Sequence, residues 1–418
     1  MKFALASYGT RGDIEPSIAL GRELVRRGHE VQMAVSPDLV GFVESAGLSA
    51  VAYGPDTREW VEKYRDFFKS VLRNAFRPRD LIELLAPKTE HWEQMSTVLM
   101  SMADGADLLY TGLNFEQPAA NVAEYYKIPL ATLHYYPMRP NGQMVPLLPP
   151  PVGRSAMRVF DWLFWRLHKR LDDAQRQELG LRKATGPSPR RITELGSLEI
   201  QAYDEVCFPG LSSEWGKSDA RRPFVGTLTI EFSTDADEEV ASWIAAGTPP
   251  IYFGFGSVPF ESFGAMVEMI GAACAELGER ALIRAGGSDL SDVPHYDHVK
   301  VVDAVSYAAA FPACRAVVHH GGSGTTAAGL RAGVPTLILW TMGDQPIWGA
   351  QIKRLKVGTA RRFSATTRES LVTDLRRILA PDYVARAQEI SRRMTEPAVS
   401  LTKAADLLES TARGKACC

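Results

Sequence analysis

Short apolar runs alternate with longer amphipathic segments along most of the chain. The run from Lys2 to Ala6 is followed by a polar loop, by an amphipathic segment from Pro16 to Arg27, and by a second apolar run from Glu30 to Ser36. This order of strand, loop, helix and strand predicts the start of a doubly wound parallel sheet. The pattern continues with predicted strands at 107–110 and 129–134 and a helix at 117–126.

The second half of the chain repeats this order. A predicted strand at 249–255 is followed by a helix at 263–277, and further strands are predicted at 280–285, 299–302, 316–319 and 336–340. Residues 212–237 between the halves are rich in serine, proline and charge, with a possible strand from Phe224 to Ile230. We therefore predict two domains, 1–211 and 238–418, joined by an approximate linker at 212–237.

The segment 317–326, Val-Val-His-His-Gly-Gly-Ser-Gly-Thr-Thr, carries the strongest chemical signal. The valines predict the end of a buried strand, and Thr325 to Leu330 predicts the opening of a helix. The first amides of a helix lack intrahelical partners and the helix dipole favours anions, so glycines that admit a close ligand suit a phosphate. A glycine-rich turn without a ligand is the alternative from the local pattern alone.

A polar pair follows the next predicted strand, where Thr341-Met342-Gly343-Asp344-Gln345-Pro346 comes after Trp340. Ligands of open α/β sheets lie outside the carboxyl ends of the strands, so this loop is expected beside the glycine turn. Asp344 accepts hydrogen bonds and Gln345 both donates and accepts, which matches the vicinal hydroxyls of a sugar. Helix capping is the alternative for such a pair.

Composition and charge narrow the class of protein. The chain has 418 residues, 45% apolar and 23% charged, with a formal charge of −2, so it has no electrostatic signature of nucleic-acid binding. No stretch resembles a membrane span or a signal peptide. The spacing of the five cysteines suggests neither a disulfide framework nor a zinc site. These features favour a cytoplasmic globular protein.

Three further groups are candidates for contact with a substrate. Asp13 lies in the first strand-to-helix loop, where it either caps the helix or acts as a base. Glu116 and His134 lie near predicted strand ends and are backup acid–base or acceptor contacts, although a structural role is the competing interpretation for His134. Trp162 belongs to an aromatic segment, 160–165, that with the proline-rich loop 137–151 shapes an apolar cleft or packs a helix onto its own domain.

Four motifs together resemble the nucleotide-sugar-dependent glycosyltransferases of the GT-B fold, part of the UDP-glycosyltransferase superfamily. The resemblance is to bacterial enzymes that glycosylate antibiotics, glycolipids and sterol-like acceptors, and it covers essentially the whole chain. It rests on the motifs at 9–16, 254–257, 319–326 and 343–346. The resemblance implies two Rossmann-like domains that face each other across a cleft, and it raises the expectation that the last helix returns to the first domain.

The resemblance also implies a role for individual residues. The donor diphosphate is assigned to His320, Gly322, Gly324 and Thr325, with Ser257 near the same group, and His319 is expected to support the turn. Val305 falls where the family's backbone receives the nucleotide base, Asp344 and Gln345 fall where it binds the donor sugar, and Asp13 falls where bacterial members carry a proposed general base. The implied reaction is an inverting displacement that uses a UDP- or dTDP-sugar co-substrate, with no metal and no further cofactor.

Other functions remain open from the sequence. Gly9-Thr10-Arg11-Gly12 departs from the dinucleotide fingerprint, which argues against a dehydrogenase. A nucleotide-sugar epimerase shares the expected donor site, and a catalytically silent nucleotide-sugar-binding partner is a third alternative. The acceptor is expected to be a small apolar molecule with a hydroxyl group, and a lipid acceptor would imply peripheral membrane contact.

Overall fold

A computed structural model describes residues 1–58, 89–144, 148–216, 221–230, 234–256, 262–341 and 343–414. Ser257 and the terminal cysteines Cys417 and Cys418 lie outside the described residues.

Each lobe is built on a six-stranded parallel sheet. The N-terminal sheet has the order β3-β2-β1-β4-β5-β6. Its strands are β1 (Lys2–Ser7), β2 (Glu30–Val35), β3 (Ser49–Ala52), β4 (Leu108–Thr111), β5 (Leu130–His134) and β6 (Leu198–Gln201). The helices around it are α1 (Arg11–Arg26), α2 (Val40–Ser45), α3 (Thr89–Ala103), α4 (Glu116–Tyr126), α5 (Pro150–Glu178) and α6 (Ser188–Glu194).

The C-terminal sheet has the order β12-β11-β10-β7-β8-β9. Its strands are β7 (Ile251–Gly254), β8 (Ala281–Arg284), β9 (Val299–Val302), β10 (Ala316–His319), β11 (Thr336–Trp340) and β12 (Gly358–Arg362). After the short connecting helix α7 (Leu211–Trp215), the helices are α8 (Asp237–Ala245), α9 (Phe263–Leu277), α10 (Tyr307–Ala310), α11 (Ser323–Ala332), α12 (Gln345–Leu355), α13 (Arg368–Ile378), α14 (Pro381–Ser391) and α15 (Pro397–Ala412). The predicted α/β fold with two doubly wound sheets is confirmed.

The possible strand from Phe224 to Ile230 is absent from the sheets, and that expectation was wrong. Phe224 makes one isolated bridge with Gln201 at the end of β6. Pro223 has no N–H to donate, and Gly226 takes a φ of +82°, which removes the chain from the extended conformation that a strand requires. The segment instead runs as an irregular connection between the lobes.

An apolar cluster joins the two lobes. Tyr203, Phe208 and Leu211, from the chain that leaves the N-terminal sheet, pack with Trp348 and Ile352 of α12. The rings of Phe208 and Trp348 meet edge to face with their centroids 5.3 Å apart. Since α12 begins at Gln345, this packing fixes the candidate sugar-binding loop relative to the N-terminal lobe.

The final helix lies against the N-terminal lobe. Nη1 of Arg27, just after α1, lies 2.6 Å from Oδ1 of Asp406 in α15, and Nε2 of His29 lies 3.0 Å from Oε1 of Glu409. Ala404, Ala405 and Leu408 of the same helix are buried in the N-terminal core. The chain therefore crosses between the lobes twice. Within the described ranges, no helix combines the length and apolar character needed to cross a membrane.

Candidate active site

The two sheets present their switch points to one cleft. In the N-terminal sheet the order of strands reverses between β1 and β4, and in the C-terminal sheet it reverses between β7 and β10. Open α/β sheets bind ligands in the crevice outside the carboxyl ends of the strands at this point. The loop that leads from β1 to Asp13 and the glycine turn after β10 are therefore the two places where chemistry is expected.

The glycine turn after β10 leads into a helix whose first amides carry no side-chain cap. Gly321 has a φ of +102°, and its N–H donates to Nδ1 of the buried His319 over 3.0 Å. His319 thus supports the turn. Gly322 is the N-cap of α11 and supplies no side chain, so the amides of Ser323, Gly324 and Thr325 face outward from the helix end. This arrangement is suited to a bound phosphate.

His320 is packed between two glycines. A Cβ at Gly256 would lie 2.9 Å from its Cε1, and a Cβ at Gly322 would lie 2.8 Å from its Nε2. Both positions therefore require glycine for the ring to sit beside the helix end. Burial and the positive charge of Arg284 lower the pKa of His320 to about 4, so the imidazole is neutral at physiological pH. Its Nδ1 is buried without a hydrogen-bond partner in the described part of the chain, which leaves it available to a ligand.

Arg284 is a site residue that the sequence analysis missed. It ends β8 directly beside Gly254, and its Nη1 donates to the hydroxyl of Tyr307 over 2.9 Å. Burial lowers the pKa of Arg284, but Tyr307, Tyr252 and Glu15 together raise it above its ordinary value. The residue therefore stays charged beside His320 and lies within electrostatic reach of Glu15 in the opposite lobe. The available signal was an arginine at the carboxyl end of a predicted strand.

The start of α12 touches the glycine turn. A Cβ at Gly321 would lie 3.1 Å from Cβ of Gln345, so the two motifs are in contact. Oε1 of Gln345 accepts hydrogen bonds from the backbone N–H of Thr341 over 2.7 Å and from its hydroxyl over 3.0 Å. Asp344 is the N-cap of α12, and its side chain makes no capping hydrogen bond.

Asp344 and Asp13 face each other across the cleft. Burial, followed by the negative charge of Asp13, raises the pKa of Asp344 to about 7. Two carboxyl groups from different lobes thus act on each other electrostatically. One lies beside the glycine turn of the donor lobe, and the other lies at the switch point of the N-terminal sheet.

Both oxygens of the Asp13 carboxylate accept hydrogen bonds. Its Oδ2 accepts hydrogen bonds from the backbone N–H of Thr10 over 2.7 Å and from the Thr10 hydroxyl over 2.9 Å. Its Oδ1 accepts a bond from the hydroxyl of Tyr135 over 2.8 Å. Burial raises the pKa of Asp13, and these hydrogen bonds oppose that rise. Gly9, with a φ of +142°, is needed here because its Cβ would lie 2.4 Å from Oδ2 of Asp13.

Glu116 and His134 belong to a buried polar network. Nε2 of His134 lies 2.6 Å from Oε1 of Glu116, and Nη1 of Arg139 donates to Oε2 of Glu116 over 2.9 Å. Arg139 also bonds to the buried Glu199. Burial works against ionisation, but Arg139 and His134 lower the pKa of Glu116 to about 2. The structure therefore gives both residues well-satisfied structural partners, and their roles as acceptor contacts stay predictions.

The other predicted residues are more scattered. Val305 lies in the loop between β9 and α10, and its side chain is buried in the core beneath that loop. Trp162 lies on the outer side of α5 with half of its surface exposed, whereas the neighbouring Trp165 is buried.

Within the described segments, no group of three or more histidine, cysteine or acidic residues forms a metal-binding cluster. Oδ1 of Asp237, the first residue of α8, accepts a hydrogen bond from the backbone N–H of Ser306 over 2.9 Å.

Two family models match the chain. Residues 3–90 match the N-terminal domain of glycosyltransferase family 28, and residues 272–408 match the C-terminal domain described as erythromycin biosynthesis protein CIII-like. The chain is 62% identical over 419 residues to an uncharacterised glycosyltransferase of Mycobacterium tuberculosis, with 99% of each chain covered. It is 31% identical over 381 residues to a sterol 3-beta-glucosyltransferase of Arabidopsis thaliana, which covers 86% of this chain and 57% of that protein.

Solved structures share the same architecture. The calicheamicin glycosyltransferase CalG4 superposes with a TM-score of 0.71 at 17% identity, covering 99% of each chain. The glycosyltransferase VinC, solved in complex with dTDP, gives a TM-score of 0.66 at 18% identity, covering 99% of this chain and all of that one. The fold and the matching relatives define a two-domain enzyme of glycosyl transfer. The chain belongs to the GT-B glycosyltransferases of the UDP-glycosyltransferase superfamily.

Proposed function

We propose that this glycosyltransferase moves a sugar from a UDP- or dTDP-linked donor to a hydroxyl group of an apolar acceptor, with inversion at the anomeric carbon. The observation that carries the proposal is the placement of Asp13 and Asp344 on facing lobes, close enough for the charge of one to raise the pKa of the other. A sugar held by Asp344 beside the glycine turn therefore lies within reach of a base from the opposite lobe.

The donor side of the proposal rests on the geometry of α11. The open amides at its first turn, the neutral imidazole of His320 and the charged guanidinium of Arg284 all belong to the carboxyl edge of β7, β8 and β10, and Arg284 is close enough to lower the pKa of His320. Negative charge grows on the leaving nucleoside diphosphate as the glycosidic bond to phosphate breaks. Preformed donors aimed at that charge stabilise the transition state more than the ground state. We assign this task to these residues and to no bound metal.

The acceptor side rests on Asp13. An acceptor hydroxyl attacks the anomeric carbon from the face opposite the diphosphate while its proton passes to Oδ1 of Asp13, and the nucleoside diphosphate departs with the bonding electrons. The raised pKa of Asp13 favours this transfer because a more basic carboxylate is a better proton acceptor. A single displacement of this kind inverts the anomeric centre.

The substrate classes are supported by relatives and neighbours. The match to a sterol 3-beta-glucosyltransferase favours an apolar polycyclic or lipid-like acceptor, and the dTDP complex of VinC favours a pyrimidine nucleoside diphosphate as leaving group. The backbone at Val305 is proposed to receive the base, and Asp344 and Gln345 are proposed to bind the sugar hydroxyls. The cytoplasmic location stays a prediction from the composition of the chain.

The test is a panel of UDP- and dTDP-linked sugars, incubated with hydroxylated sterols, lipids and polyketides and analysed by mass spectrometry. The proposal predicts an acceptor mass raised by one sugar, with anomeric inversion in the product by NMR. Isomerised donor without acceptor would instead support an epimerase. Donor binding without turnover against every acceptor would support a silent binding partner.

A further inference from the structure

Helix α5 carries an unusual concentration of exposed apolar side chains. Seven of the twelve large hydrophobic side chains that are exposed in the described residues lie between positions 148 and 164, and six of these seven are on α5. Phe160 is 57% exposed and Leu163 is 55% exposed, although both are large enough to fill a core position. A contiguous apolar patch of this kind marks an interaction surface.

The exposed side chains form an ordered face. Val152, Val159, Phe160 and Leu163 recur at the spacing that places them along one side of a helix. The opposite side carries the buried residues Trp165 and His168. The helix is thus anchored by one side, and an apolar stripe runs along the other.

A basic row borders this stripe. Arg158, Trp162 and Arg166 follow one another at intervals of four residues, and the guanidinium carbon of Arg166 lies 5.8 Å from the ring centroid of Trp162. Of the five basic side chains in residues 150–170, Arg154 pairs with Glu214 and Lys169 pairs with Asp173, whereas Arg158, Arg166 and Arg170 are exposed. The only acidic residue, Asp161, is turned toward the interior, where burial raises its pKa to about 6.

We propose that the outer face of α5, comprising Val152, Arg158, Val159, Phe160, Trp162, Leu163 and Arg166, docks the enzyme onto an anionic lipid membrane. An apolar stripe flanked by arginines and a tryptophan is the arrangement of helices that lie in the plane of a bilayer interface. The excess positive charge selects a lipid surface with negative headgroups over a neutral one. In the described part of the chain, the apolar side chains of this face are more than half exposed.

Helix α5 also contacts a loop that links the two lobes. Near its beginning, α5 contacts the loop after Tyr135, where Sδ of Met157 accepts from the backbone N–H of Asn141 over 3.4 Å. Two residues further along that loop, the carbonyl of Gln143 accepts from Nε2 of Gln351 in α12 over 3.2 Å. The loop therefore joins the inner side of α5 to the donor lobe, and docking by the outer face would place a bilayer one helix away from that connection.

Vesicle co-sedimentation of the full chain tests this proposal. We expect binding to vesicles of equimolar phosphatidylcholine and phosphatidylglycerol, weaker binding to phosphatidylcholine alone, and loss of binding at high salt. The double variant Phe160→Ser/Leu163→Ser should lower the partition coefficient about tenfold or more, since each side chain contributes its apolar transfer energy. The double variant Arg158→Gln/Arg166→Gln should lower binding only to the anionic vesicles.

Matched controls separate docking from general loss of structure. Leu195→Ser/Val399→Ser removes two equally exposed apolar side chains from other helices and should leave vesicle binding unchanged. Unchanged far-ultraviolet circular dichroism would show that the α5 variants are folded.

Two results would overturn the proposal: wild-type protein that does not bind anionic vesicles, or α5 variants that bind them as the wild type does. A wild-type dimer that the Phe160→Ser/Leu163→Ser variant dissociates, without vesicle binding, would identify the face as a contact between two chains instead. Vesicle binding does not depend on transferase activity. The proposed function and the proposed membrane docking can therefore be contradicted independently of each other.

Discussion

The hydroxyl of Tyr135 donates a hydrogen bond to Oδ1 of Asp13 over 2.8 Å, and the two residues come from different strand ends of the N-terminal sheet. Tyr135 directly follows β5, and Asp13 lies in the first turn of α1. This contact orients the proposed base while Thr10 holds its other oxygen. Tyr135 is thus a positioning residue, since it acts on the acceptor through Asp13.

Replacing Tyr135 by phenylalanine tests this relationship. The hydrogen bond from Tyr135 lowers the pKa of Asp13, so its loss should raise that pKa and move the acid limb of the pH–rate profile to higher pH. Donor affinity should stay unchanged because Tyr135 is outside the donor lobe. Tyr125→Phe, on the exposed side of α4, is the control. If Tyr135→Phe lowered the rate but the acid limb of the pH–rate profile stayed at the wild-type pH, Tyr135 would have only a packing role.

Asp13→Asn should also change the titration of Asp344. Because the negative charge of Asp13 contributes to raising the pKa of Asp344 to about 7, its removal should lower that pKa. The pH at which donor affinity changes would then shift downward, as measured by calorimetric titration of the donor between about pH 5 and pH 8. Asp344→Asn should remove the inflection altogether. An identical pH dependence in wild type and Asp13→Asn would mean that the two carboxyl groups do not interact.

Gly324→Val should block the donor site without unfolding the protein. A Cβ at Gly324 meets no protein atom within 4 Å, so the larger side chain projects into the space in front of the α11 amides. We expect nucleotide affinity to fall about tenfold or more through steric exclusion, with little change in Tm. Gly41→Val is the matched control, since Gly41 also lies early in a helix with open space around its Cβ position. Equal nucleotide affinity in the Gly324 variant and wild type would remove the phosphate assignment.

Arg284→Gln should weaken nucleoside diphosphate binding. Loss of a charged hydrogen-bond donor to a phosphate is expected to lower affinity about tenfold or more. The same substitution should raise the pKa of His320, since the charge of Arg284 helps to lower it, and the histidine resonance in NMR reports that shift. Arg392→Gln, at an exposed position after α14, is the control. Unchanged affinity together with an unmoved His320 resonance would place Arg284 outside the site.

The sheets were predictable because buried parallel strands leave continuous apolar runs in the sequence. The edge strands β3 and β12 were missed, and their physical character explains why. The side chains of β3 are mostly small and partly or fully exposed, and β12 ends in Arg361 and Arg362, so neither has a run of large apolar residues. A third edge strand, β6, was missed because Glu199 and Gln201 are buried with hydrogen-bond partners and are not hydrophobic.

The donor site was more accessible to sequence reasoning than the acceptor site. The glycines, His320 and Asp344 lie within one short stretch of sequence, and the turn geometry demands those residue types. The contacts of Tyr135 and Arg284 depend on how separate strands meet at a sheet edge, which local patterns do not encode. The outward face of Trp162 likewise required the helix to be placed, because an aromatic run fits a core helix and an interfacial helix equally well.

The most direct test of the account compares Asp13→Asn with wild type in the same transfer assay, with donor affinity measured in parallel and Asp104→Asn as a surface control. At a pH well above 7, where Asp344 is ionised in both enzymes, the account predicts that donor affinity is retained while the transfer rate falls about a hundredfold or more, because the acceptor hydroxyl has lost its proton acceptor. Transfer at the wild-type rate by the Asp13→Asn enzyme would contradict it.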